Sequence, residues 1–300
     1  MDKRTIAKNY YELNKRALDF RNSKEYFIGD RIVRYLKLLK GLHFILFTKL
    51  LLEDIWRVTF KKKTNPIVQN LDFSEAYQGK KIAVYTSVYG GYDKIVEPLY
   101  KDPNCDYYIF TDQVIDDSSI WEKIEYDHFP KEVNSNFLKN RYVKMLPHKV
   151  LPNYEYTVYI DGNLQITSEI SLLFKNFDSP TGVAMHKHPS NNGIYEEVMY
   201  NKRLGKITEE EAATLEKLYR DNRMPAHFGM FECNVICRNS NNPKCIQIMN
   251  EWWNEVFKGV KRDQLYFTYV LFLLGYEFKD IKLIGNNINA NPMFIRYQHK

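Results

Sequence analysis

The sequence predicts an α/β protein, a mixed but mostly parallel sheet flanked by helices and preceded by a basic helical extension. Three observations carry this. From residue 80 onward, short apolar runs alternate with longer stretches of helical periodicity. Several of those runs end in a carboxylate or a glycine-rich turn, the end at which a parallel sheet presents its ligand-binding loops. Charge is also divided unevenly, with 16 Lys and Arg against 9 Asp and Glu in residues 1–79, and 27 against 28 in the remainder.

With 44% apolar and 15% aromatic residues in 300, the chain can bury a substantial core, which excludes a disordered or coiled-coil protein. A nucleic-acid enzyme carries its basic surface beside its chemistry. Here the main body, residues 80–300, is neutral, so the expectation is no nucleic-acid partner. The scattered cysteines Cys105, Cys233, Cys237 and Cys245 make no disulfide framework, and no charged-then-apolar leader opens the sequence, so a reducing, cytoplasmic setting is expected.

Residues 1–79 are taken as extension and linker. Within 30–63, Ile32, Val33, Leu36 and Leu39 recur at helical spacing while Arg31, Arg34, Lys37 and Lys40 step by three along another face. The longest uncharged run there, 41–48, is far shorter than the roughly 20 residues a bilayer span needs. Two readings stay open: an interfacial helix on the anionic inner face of the cytoplasmic membrane, with Trp56 and Lys61 to Lys63 at headgroup level, or a helical cap packed on the body.

In the body, strands are expected at 82–88, 107–110, 157–160, 182–185 and 231–238, and helices at 134–146, 208–221, 243–257 and 263–274. The first strand runs into Thr86-Ser87-Val88-Tyr89-Gly90-Gly91-Tyr92-Asp93, whose paired glycines allow a sharp turn and whose tyrosines offer flat faces to a base or sugar. The second ends in Thr111-Asp112, a carboxylate suited to ribose hydroxyls or to a turn. The third ends in Asp161-Gly162-Asn163, two oxygen-bearing side chains around a glycine, fit either for a hard cation such as Mn²⁺ or Mg²⁺ beside a diphosphate or for an ordinary turn. Arg141 and Lys144 share a helix face that suits a diphosphate. His186 and His188 point the same way in an extended segment and, with Glu196 or Glu197 as further acceptors, suit a hydroxyl-rich substrate. Glu232 and Asn234 share a strand face, and Asp263-Gln264 opens a helix, where Asp263 is either a capping residue or a carboxylate facing the reaction centre. Trp252 and the cysteines are expected in the core.

Taken together, Tyr85-Thr86-Ser87, Gly90 to Asp93, Phe110-Thr111-Asp112, Arg141 with Lys144, Leu146-Pro147-His148, Ile160 to Asn163, His188-Pro189, Tyr195-Glu196-Glu197, Glu232 to Arg238 and Arg262-Asp263-Gln264 resemble a known family. It is the glycosyltransferase-like domain family of unknown-function type shared by bacterial surface-polysaccharide loci and plant cell-wall proteins, over about residues 80–275. The resemblance implies a GT-A fold and transfer of a sugar from a nucleoside-diphosphate donor, expected to be UDP-linked, to a hydroxyl of a glycan or glycolipid acceptor. It implies Thr86, Tyr89, Tyr92, Asp93, Asp112, Arg141, Lys144 and Asp161 at the nucleotide-sugar, and Asp161 with Asn163 at a divalent cation. His186, His188, Glu196, Asn234 and Gln264 are expected at the acceptor or sugar from their own chemistry. Asp263, then Glu232, are the expected catalytic carboxylates. Asp-Gly-Asn departs from the usual Asp-x-Asp, which leaves open a catalytically inactive carbohydrate- or sugar-nucleotide-binding protein of the same fold.

Overall fold

Seven consecutive buried residues, Ile82–Val88, form β1, and the sheet is built outward from it. The structure, a computed structural model, describes residues 3–40, 48, 51, 71–189 and 192–299. β2 (Cys105–Thr111) and β4 (Tyr156–Ile160) flank β1 in parallel, and β3 (Glu122–Ile124) extends the β2 side. On the other side β7 (Phe231–Asn239) runs antiparallel between β4 and β6 (Val183–Lys187), and β8 (Lys282–Leu283) pairs in parallel with β6. The order β3-β2-β1-β4-β7-β6-β8 is the mixed, mostly parallel sheet that the sequence predicts. A separate antiparallel pair joins β5 (Leu164–Ile166) to β9 (Phe294–Arg296).

Alternation along β1 feeds two cores. Ala83 and Tyr85 enter the larger one, while Ile82 and Val84 enter the other. On the first face lie α3 (Asn136–Met145), the single turn α4 (Pro147–Val150), α5 (Ile194–Arg203), α6 (Glu209–Asp221), α7 (Pro243–Lys258) and α8 (Gln264–Leu273). Their starts follow capping chemistry. Ser135 accepts from the Leu138 N–H, Thr208 and Glu211 form a reciprocal capping box, and Asn242 caps α7 ahead of a proline at the first helical position. α8 is buried from Leu265 through Leu271, so it packs as an inner helix, and this fixes where Asp263 at its start can sit.

Two features go beyond what the sequence settles. The sequence reading leaves the direction of each strand open, and β7 turns out antiparallel. Its amino-terminal end therefore meets the carboxyl ends of β1 and β4, and the Asp161 N–H donates to the Asn234 carbonyl at 2.9 Å. Also, the first helix α1 (Lys3–Arg21) is docked on the body: Tyr11 is buried and accepts from the Leu71 N–H, Arg4 pairs with Glu169 at 2.9 Å, and Asn14 donates to the Pro292 carbonyl. α2 (Lys24–Lys40) follows it. The expected membrane-facing residues Trp56 and Lys61 to Lys63 lie outside the described residues. No helix among the described residues is long and apolar enough to cross a membrane.

Candidate active site

The glycine turn after β1 is held by a carboxylate at the end of the neighbouring strand β2. Gly90 and Gly91 take φ of +67° and +63°, the left-handed region that glycine tolerates, and the Asp112 carboxylate accepts from the Gly90 N–H at 2.9 Å. Asp112 thus positions the turn and does not line the cleft below it. Thr86 is also off the cleft wall: it is buried beneath Gly162, 3.9 Å from where a Cβ at that position would stand. The same hypothetical Cβ would meet Val88 Cγ2 at 2.6 Å, so only glycine lets the Asp161-Asn163 turn lie against β1.

A cleft of about 720 Å³ opens over these strand ends, and it gathers most of the residues the sequence singles out: Tyr89, Tyr92, Asp93, Arg141, Lys144, Asp161, Asn163, His188, Glu232, Asn234, Asp263 and Gln264. On its floor is a buried ion network. Lys144 Nζ lies 2.7 Å from Asp263 Oδ2 and 3.1 Å from Asp161 Oδ1, and Arg141 lies 3.3 Å from Asp263 Oδ1. Lys144 is 2% exposed and Asp161 32%, so Asp161 is the member that faces the cleft. Burial opposes ionisation of Asp263, but Arg141 and Lys144 outweigh it and hold the carboxyl well below the usual range. Lys144 is also penalised by burial, yet Asp161 and Asp263 raise it, so both charges persist. Trp252, in the core as expected, donates from Nε1 to the Asp263 carbonyl at 2.9 Å and fixes the start of α8.

Glu232 has the opposite environment. Burial pushes its carboxyl up to about 7, although the Ile288 N–H that it accepts at 2.6 Å pulls the other way. His186 and His188 do not act as a pair. A bulge between Met185 and His186 breaks the strict alternation, and His186 is fully buried, accepting from Asn291 Nδ2 at 2.9 Å, with burial lowering its pKa to about 3. It is a neutral core histidine outside the cleft lining. His188 stays at the cleft, 3.5 Å from Glu197 Oε2. Glu197, not Glu196, is the inward acid of α5: it accepts from Asn201 and from Gln264 Nε2 at 2.9 Å, while Glu196 caps the local turn at the Asn192 N–H.

Sequence reading misses His299. Its Nδ1 lies 3.0 Å from Asp93 Oδ2 and its Nε2 lies 3.5 Å from Asn163 Nδ2, so Asp93 orients the ring with the other nitrogen toward the Asp161-Asn163 turn. An imidazole whose far nitrogen is fixed by a carboxylate is the usual arrangement behind a metal-ligating histidine. Among the described residues no three His, Cys, Asp or Glu side chains are grouped to hold a metal. Asp161, Asn163 and His299 are a carboxylate, a carboxamide and an imidazole, donor types that a divalent cation takes, but Asn163 turns its Nδ2 to His299 and to the Tyr297 carbonyl, so its oxygen would reach a cation there only with the amide turned over. Arg296, Lys206 and Arg262 also line the cleft and stand apart from the expected set. No local motif marks Lys206 or Arg296, and Arg262 shows only as the first residue of the Arg262-Asp263-Gln264 pattern, because the chain brings the three in from distant segments.

The sequence matches the TOD1/MUCI70, glycosyltransferase-like domain over residues 57–299. The chain belongs to that family. Within it, the chain is 22% identical over 234 residues to the probable hexosyltransferase MUCI70 of Arabidopsis thaliana, a stretch covering 68% of this chain and 39% of the plant protein. It thus spans about two fifths of that relative's length. Among solved structures it is similar to the WbbM bifunctional glycosyltransferase in its apo form, with a TM-score of 0.42 and 12% identity over 75% of this chain and 41% of that one. It is also similar to the glycosyltransferase GlyE of Streptococcus pneumoniae (TM-score 0.39, 11% identity, 69% and 45% covered) and to mouse xyloside xylosyltransferase 1 (TM-score 0.38, 10% identity, 68% and 83% covered). The family and the mixed, mostly parallel sheet agree with the GT-A-like fold that the sequence implies.

Proposed function

We propose that the protein transfers a sugar from a nucleoside-diphosphate donor to a hydroxyl of a glycan or glycolipid acceptor, in the synthesis of a surface polysaccharide. The observation that carries this reading is the convergence of Asp161, Lys144, Arg141 and Asp263 on the floor of one cleft at the strand ends. Tyr89 and Tyr92 offer flat faces to the base, and Asp93 and Asp161 accept from ribose hydroxyls. As the bond from the anomeric carbon to the diphosphate oxygen breaks, negative charge grows on the leaving group. The Lys144 and Arg141 cations, already fixed in place, stabilise it without reorganising.

The acceptor oxygen forms the new bond to the anomeric carbon and gives up its proton. We assign that proton to Glu232, whose buried carboxyl is tuned close to neutrality, as a general base requires. Asp263 is too strongly held by its two cations to be a good base and acts by positioning them. A divalent cation held by Asp161, Asn163 and His299 would supply Lewis-acid help to the departing diphosphate. His188, Asn234 and Gln264 are proposed to contact the sugar or acceptor. The docking of α2 on anionic lipid at the inner face of the cytoplasmic membrane completes the reading.

The deciding measurement is release of nucleoside diphosphate from a panel of sugar nucleotides, with and without Mn²⁺, beside the melting temperature for each donor. A donor that raises the melting temperature and is turned over supports the proposal. Stabilisation without turnover selects the inactive sugar-nucleotide-binding alternative, and a panel with neither effect ends both.

A further inference from the structure

The cleft holds two kinds of cation. Arg141 and Lys144 are paired with Asp263 and Asp161, and the Lys261 ammonium donates to the Phe257 carbonyl at 2.7 Å, at the end of α7. Lys206, Arg262 and Arg296 line the same cleft, and among the described residues none of their side chains makes a hydrogen bond or ion pair. Some exposed cations elsewhere find partners, as Lys217 does with Asp221 at 2.5 Å and Arg220 with Glu216 at 2.9 Å; what distinguishes these three is that they share one cleft. The carboxylates closest in role are already committed, Glu197 to Asn201 and Gln264, and Glu232 to the Ile288 N–H.

The backbone that carries each of the three is held in place, while the side chains of Lys206 and Arg296 are exposed. The Arg296 backbone is paired opposite Leu164 in the small sheet. The Arg262 N–H donates to the Val260 carbonyl at 2.7 Å, and the Lys206 N–H donates to the Asn201 carbonyl at 3.0 Å. Burial and then the charges of Arg262 and Arg296 hold the Lys206 ammonium below its usual pKa, against the pull of Glu197, so the three cations feel one another. Glu197, Glu232 and Asp263 attract Lys206, Arg296 and Arg262 across space without pairing with them, so an anion carried in by a ligand would meet three cations open to direct contact.

We infer that Lys206, Arg262 and Arg296 form an anion subsite that receives a phosphate or carboxylate group carried by the substrate. The inference rests on the transferase reading for what that substrate is. The anion comes either from the donor diphosphate or from an acidic sugar of the donor or acceptor, and the two sources separate by experiment.

Calorimetric titration of the full chain with inorganic pyrophosphate, with UDP, and with a glucuronate-containing disaccharide beside its carboxyl-reduced neutral form tests it. In Arg262→Gln/Arg296→Gln, and separately in Lys206→Gln, at least one anion is expected to bind about tenfold more weakly per lost cation while the neutral disaccharide is unchanged. Loss confined to pyrophosphate and UDP assigns the subsite to the diphosphate, and loss confined to the acidic disaccharide assigns it to a sugar acid. Affinities for all the anions within about twofold of the unsubstituted chain overturn the inference. Nucleoside-diphosphate release is scored independently: a chain that turns over no donor but loses anion binding in these variants keeps the subsite and loses the transferase.

Discussion

Lys144 and Asp263, from α3 and the start of α8, meet at 2.7 Å with almost no solvent between them, and Arg141 completes the contact from the same helix face as Lys144. The pair joins two elements that share no hydrogen-bonded strand, and it fixes the cations beneath the cleft. A buried pair of this kind contributes little net stability when intact, but removing one partner strands a charge away from water.

Asp263→Ala is therefore expected to destabilise the chain by about 3–5 kcal/mol in urea denaturation, with Asp263→Asn milder because the amide still accepts a hydrogen bond. Asp263 has a depressed folded pKa, so its contribution is fully present above the unfolded carboxyl value and is lost as pH falls through and below it. Unfolding midpoints that are equal for wild type and Asp263→Ala near neutral pH would remove the pair from the structural account.

Glu232 carries the opposite sign. Its folded carboxyl sits near 7 against a reference of 4.5, so the unfolded state loses the proton first and stability falls as pH rises between those values. Asn234 and the Ile288 N–H favour its ionised form, Arg296 does so by charge, and Glu197 opposes it. Glu232→Gln should flatten that slope and abolish turnover while leaving donor binding intact. In the wild type the rate should climb with pH through about 7 as the base ionises. A Glu232→Gln variant with wild-type turnover would end its assignment as base.

The frame of this site was legible in short patterns, and its finer pairing was not. β1, β4 and the helices near Ser135, Thr208 and Asn242 show in the sequence because apolar runs and caps are local signals. Asp161 and Asp263 were legible as site residues because one follows a strand end and the other opens a helix, and Arg141 with Lys144 because their spacing puts them on one helix face. Their mutual neutralisation was not, since it depends on how α8 packs against α3. Equal spacing suggests that His186 and His188 act together, but a bulge, which no residue type announces, sends His186 into the core. Glu196 and Glu197 are adjacent and chemically alike, and only the rotation of α5 decides that Glu197 faces inward. His299 carries no motif and reaches Asn163 only through the pairing of β9 with β5.

His299 and Asp93 give a separate test of the cation. Mn²⁺ added to the full chain is expected to raise its melting temperature, and His299→Ala should remove most of that rise while leaving stabilisation by a nucleoside diphosphate without metal unchanged. Asp93→Asn should act in the same direction but more weakly, because the ring would lose its orienting carboxylate and keep its nitrogen. A Mn²⁺ shift that is undiminished in His299→Ala would place any cation elsewhere.

At the other end of the molecule, Ile28, Ile32 and Leu36 lie four apart along α2, each more than half exposed, with Val33 beside them and Lys37 and Lys40 in the last turn. An apolar stripe next to basic side chains matches a lipid surface that carries negative charge, where each Lys adds about 1 kcal/mol of attraction. Deleting the whole extension is a poor test, because α1 is part of the body through Tyr11, Arg4 and Asn14. Ile28→Glu/Ile32→Glu/Leu36→Glu leaves those contacts in place. The unsubstituted chain is expected to sediment with phosphatidylserine-containing vesicles and not with pure phosphatidylcholine, and the triple variant to stay in the supernatant with an unchanged melting temperature. Equal binding of the unsubstituted chain to both vesicle types would refute the electrostatic part, and undiminished binding of the variant would remove α2 from the contact.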